Sequence, residues 1–165
     1  MGALTLVGPA ADNPLPDWER FIPIRIQLIL VGKTRRPAVR TLLDDYVARI
    51  GHYAEIEVHE VRADSTAGLK KLDFSGATTV LLDAAGKQLS SQQFAAWIGS
   101  RRDRGEREII FMCGAAEGFP ETLQRHATAR ISLSPLTFSH ELARVMLAEQ
   151  IYRAFALLAG HPYPK

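Results

Sequence analysis

A single cysteine, Cys113, stands among the 165 residues, so no intrachain disulfide can form, and a reducing cytoplasm is the expected setting. No stretch approaches the roughly 18 consecutive apolar residues that a membrane-spanning helix needs. No basic residue precedes Arg20, and Pro9, Pro14 and Pro16 break the early apolar stretch, so no secretory signal is expected. An excess of charge is also missing: 20 Lys and Arg face 18 Asp and Glu, and a net charge of +2 demands no polyanionic partner. Any basic face must therefore be argued from position. The five histidines share no metal-ligand spacing with Cys113, so no metal is expected.

The common nucleotide and hydrolase signatures are absent as well. The first apolar run is followed only by Gly32-Lys33-Thr34, not by G-x-G-x-x-G. The Gly114–Gly118 stretch has two glycines and no Lys-Ser/Thr after them, so it is no Walker loop. Neither a G-x-S-x-G elbow nor H-E-x-x-H occurs. These absences leave a dinucleotide enzyme, a P-loop ATPase, a serine hydrolase and a zinc protease without support.

What is present is an ordinary globular composition, 47% hydrophobic and 23% charged, at a length that fits one domain. Four of the nine prolines, Pro9, Pro14, Pro16 and Pro23, crowd into the first 23 residues, which predicts an irregular arm over 1–23. Regular structure is expected from Ile24, where Ile24-Arg25-Ile26-Gln27-Leu28-Ile29-Leu30-Val31 begins as an alternating strand and ends continuously apolar. Pro37 suits the first turn of a helix whose apolar residues Val39, Leu42, Leu43, Tyr46, Val47 and Ile50 recur at three and four, with Gly51 as a stop. A second strand is expected over 55–61, a short helix or loop over 64–73, and a buried strand over 78–83 that ends in a turn around Gly86. Ser90 and Gln93 form a capping box, and Leu89 can staple against Phe94. A fourth strand over 109–113, a helix near 120–126, a strand over 130–133 and a long helix over 140–159 capped by Ser139 complete the chain.

Strands alternating with helices predict an α/β fold with a mostly parallel sheet covered by helices on both faces. Sites in such sheets form beyond the carboxyl ends of the strands, here after Val31, Asp83, Cys113 and Leu133. Two basic runs differ in kind. Arg101, Arg102, Arg104 and Arg107 are interleaved with Asp103, Glu106 and Glu108 and read as a solvated helix end. Lys33, Arg35, Arg36 and Arg40 meet no acid before Asp44 and sit at the expected active end of the sheet, which predicts phosphate contact and salt-sensitive binding.

The most specific motif lies in the last third: Leu133-Ser134-Pro135-Leu136-Thr137-Phe138-Ser139-His140, then Arg144-Val145, Glu149-Gln150-Ile151-Tyr152-Arg153-Ala154, and a His161-Pro162-Tyr163 tail. With the opening strand and its Gly32-Lys33 turn, Leu82-Asp83 before Gly86-Lys87, and Gly114 before Gly118, this resembles the RlmH family of SPOUT methyltransferases over 24–165. The resemblance implies a C-terminal trefoil knot, a homodimer, and S-adenosylmethionine bound in the knot at the dimer interface. It further implies methylation of N3 of a pseudouridine in helix 69 of 23S ribosomal RNA, with the assembled ribosome as substrate.

Carried over by residue, the cofactor pocket would use Leu82, Cys113, Gly114, Leu133, Ser134, Pro135, Leu136, Thr137 and Phe138. His140, Arg144, His161 and Tyr163 become the candidates for binding or polarising the base, with no general base singled out among them. Glu149, Tyr152 and Arg153 are expected to serve packing and dimer contacts. The chain departs from the family where Cys113-Gly114 replaces Gly-Gly, in a shorter 64–73 segment, and in the added arm. Cys113 is expected as a small buried thiol. Two alternatives accompany this reading: a SPOUT enzyme with another target such as transfer RNA, and a non-catalytic ribosome-binding factor on the same fold.

Overall fold

The computed structural model describes residues 23–64 and 66–161. The expected arm, apart from Pro23, and Tyr163 of the tail lie outside the described residues. The elements run β1 (Arg25–Val31), α1 (Pro37–Ile50), β2 (Glu55–Val61), α2 (Thr66–Leu69), β3 (Thr78–Gln88), α3 (Ser91–Asp103), β4 (Glu108–Cys113), α4 (Glu121–Gln124), β5 (Ala129–Ser132) and α5 (His140–Leu158). The five strands form one parallel sheet in the order β2-β1-β4-β3-β5.

The central strands are buried on both faces, which is why they read as nearly continuous apolar runs. Side-chain alternation splits β1 between two cores. Ile26, Leu28 and Leu30 join Leu43 of α1, Phe94 and Ile98 of α3, and Leu147, Ile151 and Phe155 of α5. Ile29 and Val31 join Leu81, Ile110, Met112 and Leu123 in a smaller cluster. That second face is covered by the single turns α2 and α4 with Leu72, Phe74 and Phe119, a thinner layer than the expected helices on both faces.

Local signals set most helix boundaries. Pro37 opens α1, and Val39, Leu43 and Ile50 are its buried stripe, while Leu42 is 50% exposed. Gly51 ends the helix without left-handed backbone; its φ is −56° and its N–H donates to Val47 O. The Ser90 hydroxyl accepts from Gln93 N at 3.1 Å while Gln93 Oε1 accepts from Ser90 N at 2.9 Å, a capping box. Ser139 Oγ accepts from Leu142 N at 3.4 Å and starts α5.

The strand expected to stop at Asp83 continues to Gln88. Leu82 and Lys87 both align with Ile131, so the residues between them bulge out of the ladder before pairing resumes. Gly86 is required there, because a Cβ would come within 2.5 Å of the Ile131 carbonyl carbon, backbone that cannot yield. This excursion lifts Asp83 and Ala84 to the rim of a cleft beyond β3, β4 and β5.

Candidate active site

The cleft has a volume of about 440 Å³, within the range of small-molecule sites. Three of the four expected loops meet in it: Leu82 after β3, Cys113 and Gly114 after β4, and Leu133, Ser134, Leu136, Thr137 and Phe138 after β5. Pro135 is exposed and does not line it. The fourth loop, after Val31, lies outside the cleft. Asp83, at a strand end the sequence singled out, also lines the cleft, as do Phe119 and Arg130, which had no signal in the sequence.

The β4 loop is a tight turn in which Ala115 N donates to Gly118 O at 3.1 Å and Gly118 N returns to Ala115 O at 2.9 Å. A Cβ on Gly114 would press against Gly118 O and Phe119 Cε2, both at 3.0 Å, so glycine lets the turn close over the strand end. The β5 loop is held by its own hydroxyls. Ser132 Oγ donates to Ser134 O at 3.1 Å, and Ser134 Oγ accepts from Leu136 N at 3.0 Å. Apolar walls beside preset backbone groups suit a flat heterocycle joined to a polar chain.

Cys113 is 1% exposed and its side chain belongs to the core beneath α1, α3 and α5. Burial pushes its thiol up to about 12, so it stays a neutral packing group. Asp83 is lowered from its ordinary value because it accepts from Ala85 N and pairs with Arg130 Nη1 at 2.7 Å.

The three base-binding candidates among the described residues, His140, Arg144 and His161, do not come together. His140, half-buried at the start of α5, lines the cleft. Arg144 does not; it is 0% exposed, donating from Nη1 to Thr34 Oγ1 at 2.8 Å and from Nη2 to Val31 O at 2.6 Å. Its guanidinium is a strut between α5 and the β1–α1 loop, near enough to the Cys113 thiol for its charge to be felt there. His161 sits at the far end of the 19-residue α5, about 28 Å along the helix, where its Nδ1 meets Tyr53 Oη at 2.8 Å.

The basic loop also differs from its sequence reading. Lys33, Arg35 and Arg36 are exposed, but Arg40 pairs with Glu60 on β2. No acid is near in sequence, yet Glu60 and Glu141 both reach the loop in space. The other run is engaged locally: Arg101 lies over the Trp97 ring, Arg102 pairs with Asp103, and Arg104 donates to Ser100 O.

Residues 24–164 match the family described as "Predicted SPOUT methyltransferase". A ribosomal RNA large subunit methyltransferase H from Geotalea daltonii is 38% identical over 151 residues, covering 85% of this chain and 99% of that protein. A protein of the same name from Gloeobacter violaceus is 42% identical over 151 residues, covering 85% and 98%. Among solved structures, a methyltransferase of Legionella pneumophila in complex with SAM aligns at 14% identity with a TM-score of 0.43, over 78% of this chain and 66% of that one. A TrmH-family RNA methyltransferase fold from Porphyromonas gingivalis aligns at 14% identity with a TM-score of 0.44, over 86% and 62%. On the family match and the full-length relatives, the chain belongs to the SPOUT methyltransferases, among the ribosomal RNA large subunit methyltransferase H proteins.

Proposed function

We propose that the protein transfers a methyl group from S-adenosylmethionine to N3 of a pseudouridine in helix 69 of 23S ribosomal RNA, acting on the assembled ribosome in the cytoplasm. The observation that carries this reading is the convergence of Leu82, Gly114 and the 133–138 loop on one cleft. The fit to the donor is chemical: leucine and phenylalanine walls for an adenine, a glycine turn that lets backbone approach, and Ser134 and Thr137 hydroxyls for polar groups. Bound donor supplies a methyl carbon on a sulfonium leaving group. What remains for the protein is to orient the attacking nitrogen and assist loss of its proton. His140 at the cleft rim is the chain's own group for holding the base or its proton, and Lys33, Arg35 and Arg36 are its phosphate contacts.

A homodimer and a trefoil-knotted C-terminal segment belong to the same proposal. Support for the dimer is an apolar strip beside the cleft: Leu136 is 73% exposed, and Leu142 and Met146, one turn apart on α5, are also uncovered. Distance along α5 gives a second reason. With His161 at the opposite end of the helix from its own His140, a catalytic role for the His161 and Tyr163 tail requires the cleft of a second copy.

The non-catalytic reading rested on Cys113 narrowing the pocket, and a thiol packed in the core removes that support. The test is incubation with labelled S-adenosylmethionine and ribosomes lacking the modification. Label in large-subunit RNA, located to a helix 69 nucleoside by mass spectrometry, is expected. Label appearing on transfer RNA instead, or no RNA label beside a working control enzyme, would overturn the proposal.

A further inference from the structure

The β1–α1 loop is held from outside itself at three consecutive backbone N–H groups. Thr34 N donates to Glu60 Oε1 at 2.9 Å, Arg35 N to Glu141 Oε1 at 2.7 Å, and Arg36 N to Glu141 Oε2 at 3.3 Å. Three consecutive N–H groups ahead of a helix are ordinarily a phosphate cradle. Here two carboxylates from β2 and α5 already fill it. The loop is also gripped on its acceptor side, where Arg144 donates to Thr34 Oγ1 and Val31 O. Arg144 is completely buried and Glu141 is 7% exposed, so this joint is inside the protein and not a surface ion pair.

Both carboxylates are stabilised in their charged form. Burial alone would raise Glu60, but the Thr34 N–H and hydroxyl and the Arg40 guanidinium together bring it below the ordinary range. Glu141 is lowered by the Arg35 N–H first and the Arg36 N–H after it, with burial opposing and the neighbouring His140 and Arg144 charges assisting.

The consequence is geometric. With these three amides occupied, the exposed side chains of Lys33, Arg35 and Arg36 are the charged groups the loop offers a phosphate. The residues that fix those side chains, Glu141 and Arg144, share the first turns of α5 with His140 of the cleft. We propose that Glu141 and Arg144 are positioning residues: they set the distance between the RNA backbone, held by the basic loop, and the nucleobase presented to the methyl-donor cleft. This rests on the reading of the protein as an RNA methyltransferase, and it assigns a function to groups that touch neither the RNA nor the donor.

The full-length chain tests it with Glu141→Gln, Thr34→Val and Thr34→Ser. Glutamine keeps the shape of Glu141 but can no longer accept from both Arg35 and Arg36, and Val removes the hydroxyl that Arg144 grips while Ser keeps it. Expected results are a KM for unmodified ribosomes raised about fivefold to tenfold in Glu141→Gln and Thr34→Val, with kcat within about twofold, since RNA placement and not chemistry is loosened. Thr34→Ser should restore the KM. S-adenosylmethionine affinity, measured by calorimetry, should be unchanged in all three. In parallel, binding of a fluorescent helix-69 RNA hairpin against salt should lose about one unit of slope in the two weakened variants, as roughly one phosphate contact is misplaced.

Variants that lose donor affinity or kcat in proportion to stability would reduce the joint to a structural role and overturn the inference. So would variants whose KM and salt slope match the parent. A parent protein that binds the hairpin with ordinary salt dependence but transfers no methyl group sinks the functional reading while leaving the salt-slope test decisive for the joint. A parent that shows no salt-dependent binding either to the hairpin or to unmodified ribosomes overturns both.

Discussion

The two ends of α5 are held by different physics. At its start, Glu141 and Arg144 are buried polar groups that grip the β1–α1 loop by directed hydrogen bonds. At its far end, Tyr152 and Phe155 pack among Tyr46, Tyr53 and His161, with ring centroids 5.8–6.3 Å apart among the contacting pairs. Ring packing tolerates small shifts at modest cost, whereas a buried guanidinium leaves its donors unsatisfied if its partners move. The end beside the cleft is therefore specified in position, and the distant end is specified mainly in volume. A protein that must align two substrates has reason to put its directional contacts where the alignment occurs.

That contrast can be broken from either end, and the larger stability loss is expected at the aromatic one. Phe155 is 5% exposed and stacks on Tyr53 at 6.3 Å, so Phe155→Ala should cost about 3–5 kcal/mol in urea denaturation through lost burial and a cavity. In the protein that remains folded, affinity for the methyl donor should be unchanged. A donor affinity that falls in step with stability would show that the two ends are not separable.

Arg144→Met is the matching test at the other end. Methionine fills the volume and removes a charge that is costly to bury, but Val31 O and Thr34 Oγ1 lose their donors. The net loss should be about 2 kcal/mol, less than for Phe155→Ala. RNA affinity should nevertheless fall, which Phe155→Ala should leave alone. Equal RNA affinity in the two variants would erase the distinction between position and volume.

The sequence made most of the frame readable. Periodicity of three and four disclosed the stripes of α1, the capping box at Ser90 and Gln93 disclosed the start of α3, and continuous apolar runs disclosed β1 and β4. Those signals are local. The readings that failed depended on partners distant in the chain. The Asp83–Gly86 stretch has the composition of a turn, and only pairing with Ile131 makes the residues after it part of a strand. Arg144 was named from resemblance for the base, and nothing near it in the sequence announces Thr34, 110 residues away. Glu60 and Glu141 reach the basic loop from β2 and α5, 26 and 106 residues from their Thr34 and Arg35 partners, so the loop looked free of acids. The thinness of the second face was equally hidden, because buried strands look the same under a helix or under a loop. Leu82, Gly114 and the 133–138 loop were named from resemblance, and the fold gathers them at one cleft for a reason periodicity cannot give: the crossover order that sets β4, β3 and β5 side by side.

Acid should separate the ends further. Glu60 and Glu141 both titrate below the ordinary glutamate range in the folded protein, so the stability they contribute is present above that range. It is lost as pH falls through their lowered values, because the unfolded chain then binds the protons more readily. Hydrogen exchange read from pH 6 downward should show the amides of Thr34, Arg35 and Arg36 losing protection before those of the α5 C-terminal turns. Simultaneous loss at both ends would mean that the carboxylates stabilise the whole domain and not this joint.

The smallest effect belongs to Tyr53. Its hydroxyl meets His161 Nδ1 at 2.8 Å on an exposed surface, where a hydrogen bond competes with water. Tyr53→Phe keeps the ring against Phe155 and Tyr152 and removes only that bond, so stability should change by less than about 1 kcal/mol. Its effect on catalysis separates two roles of that bond. If the bond holds the tail at the end of its own helix, freeing His161 should leave kcat unchanged or raise it; if the same bond presents the tail to a second copy, kcat should fall with donor affinity intact. Single-turnover rates at saturating ribosome distinguish the two, and a drop there, with no change in stability, would make the far end of α5 part of the site after all.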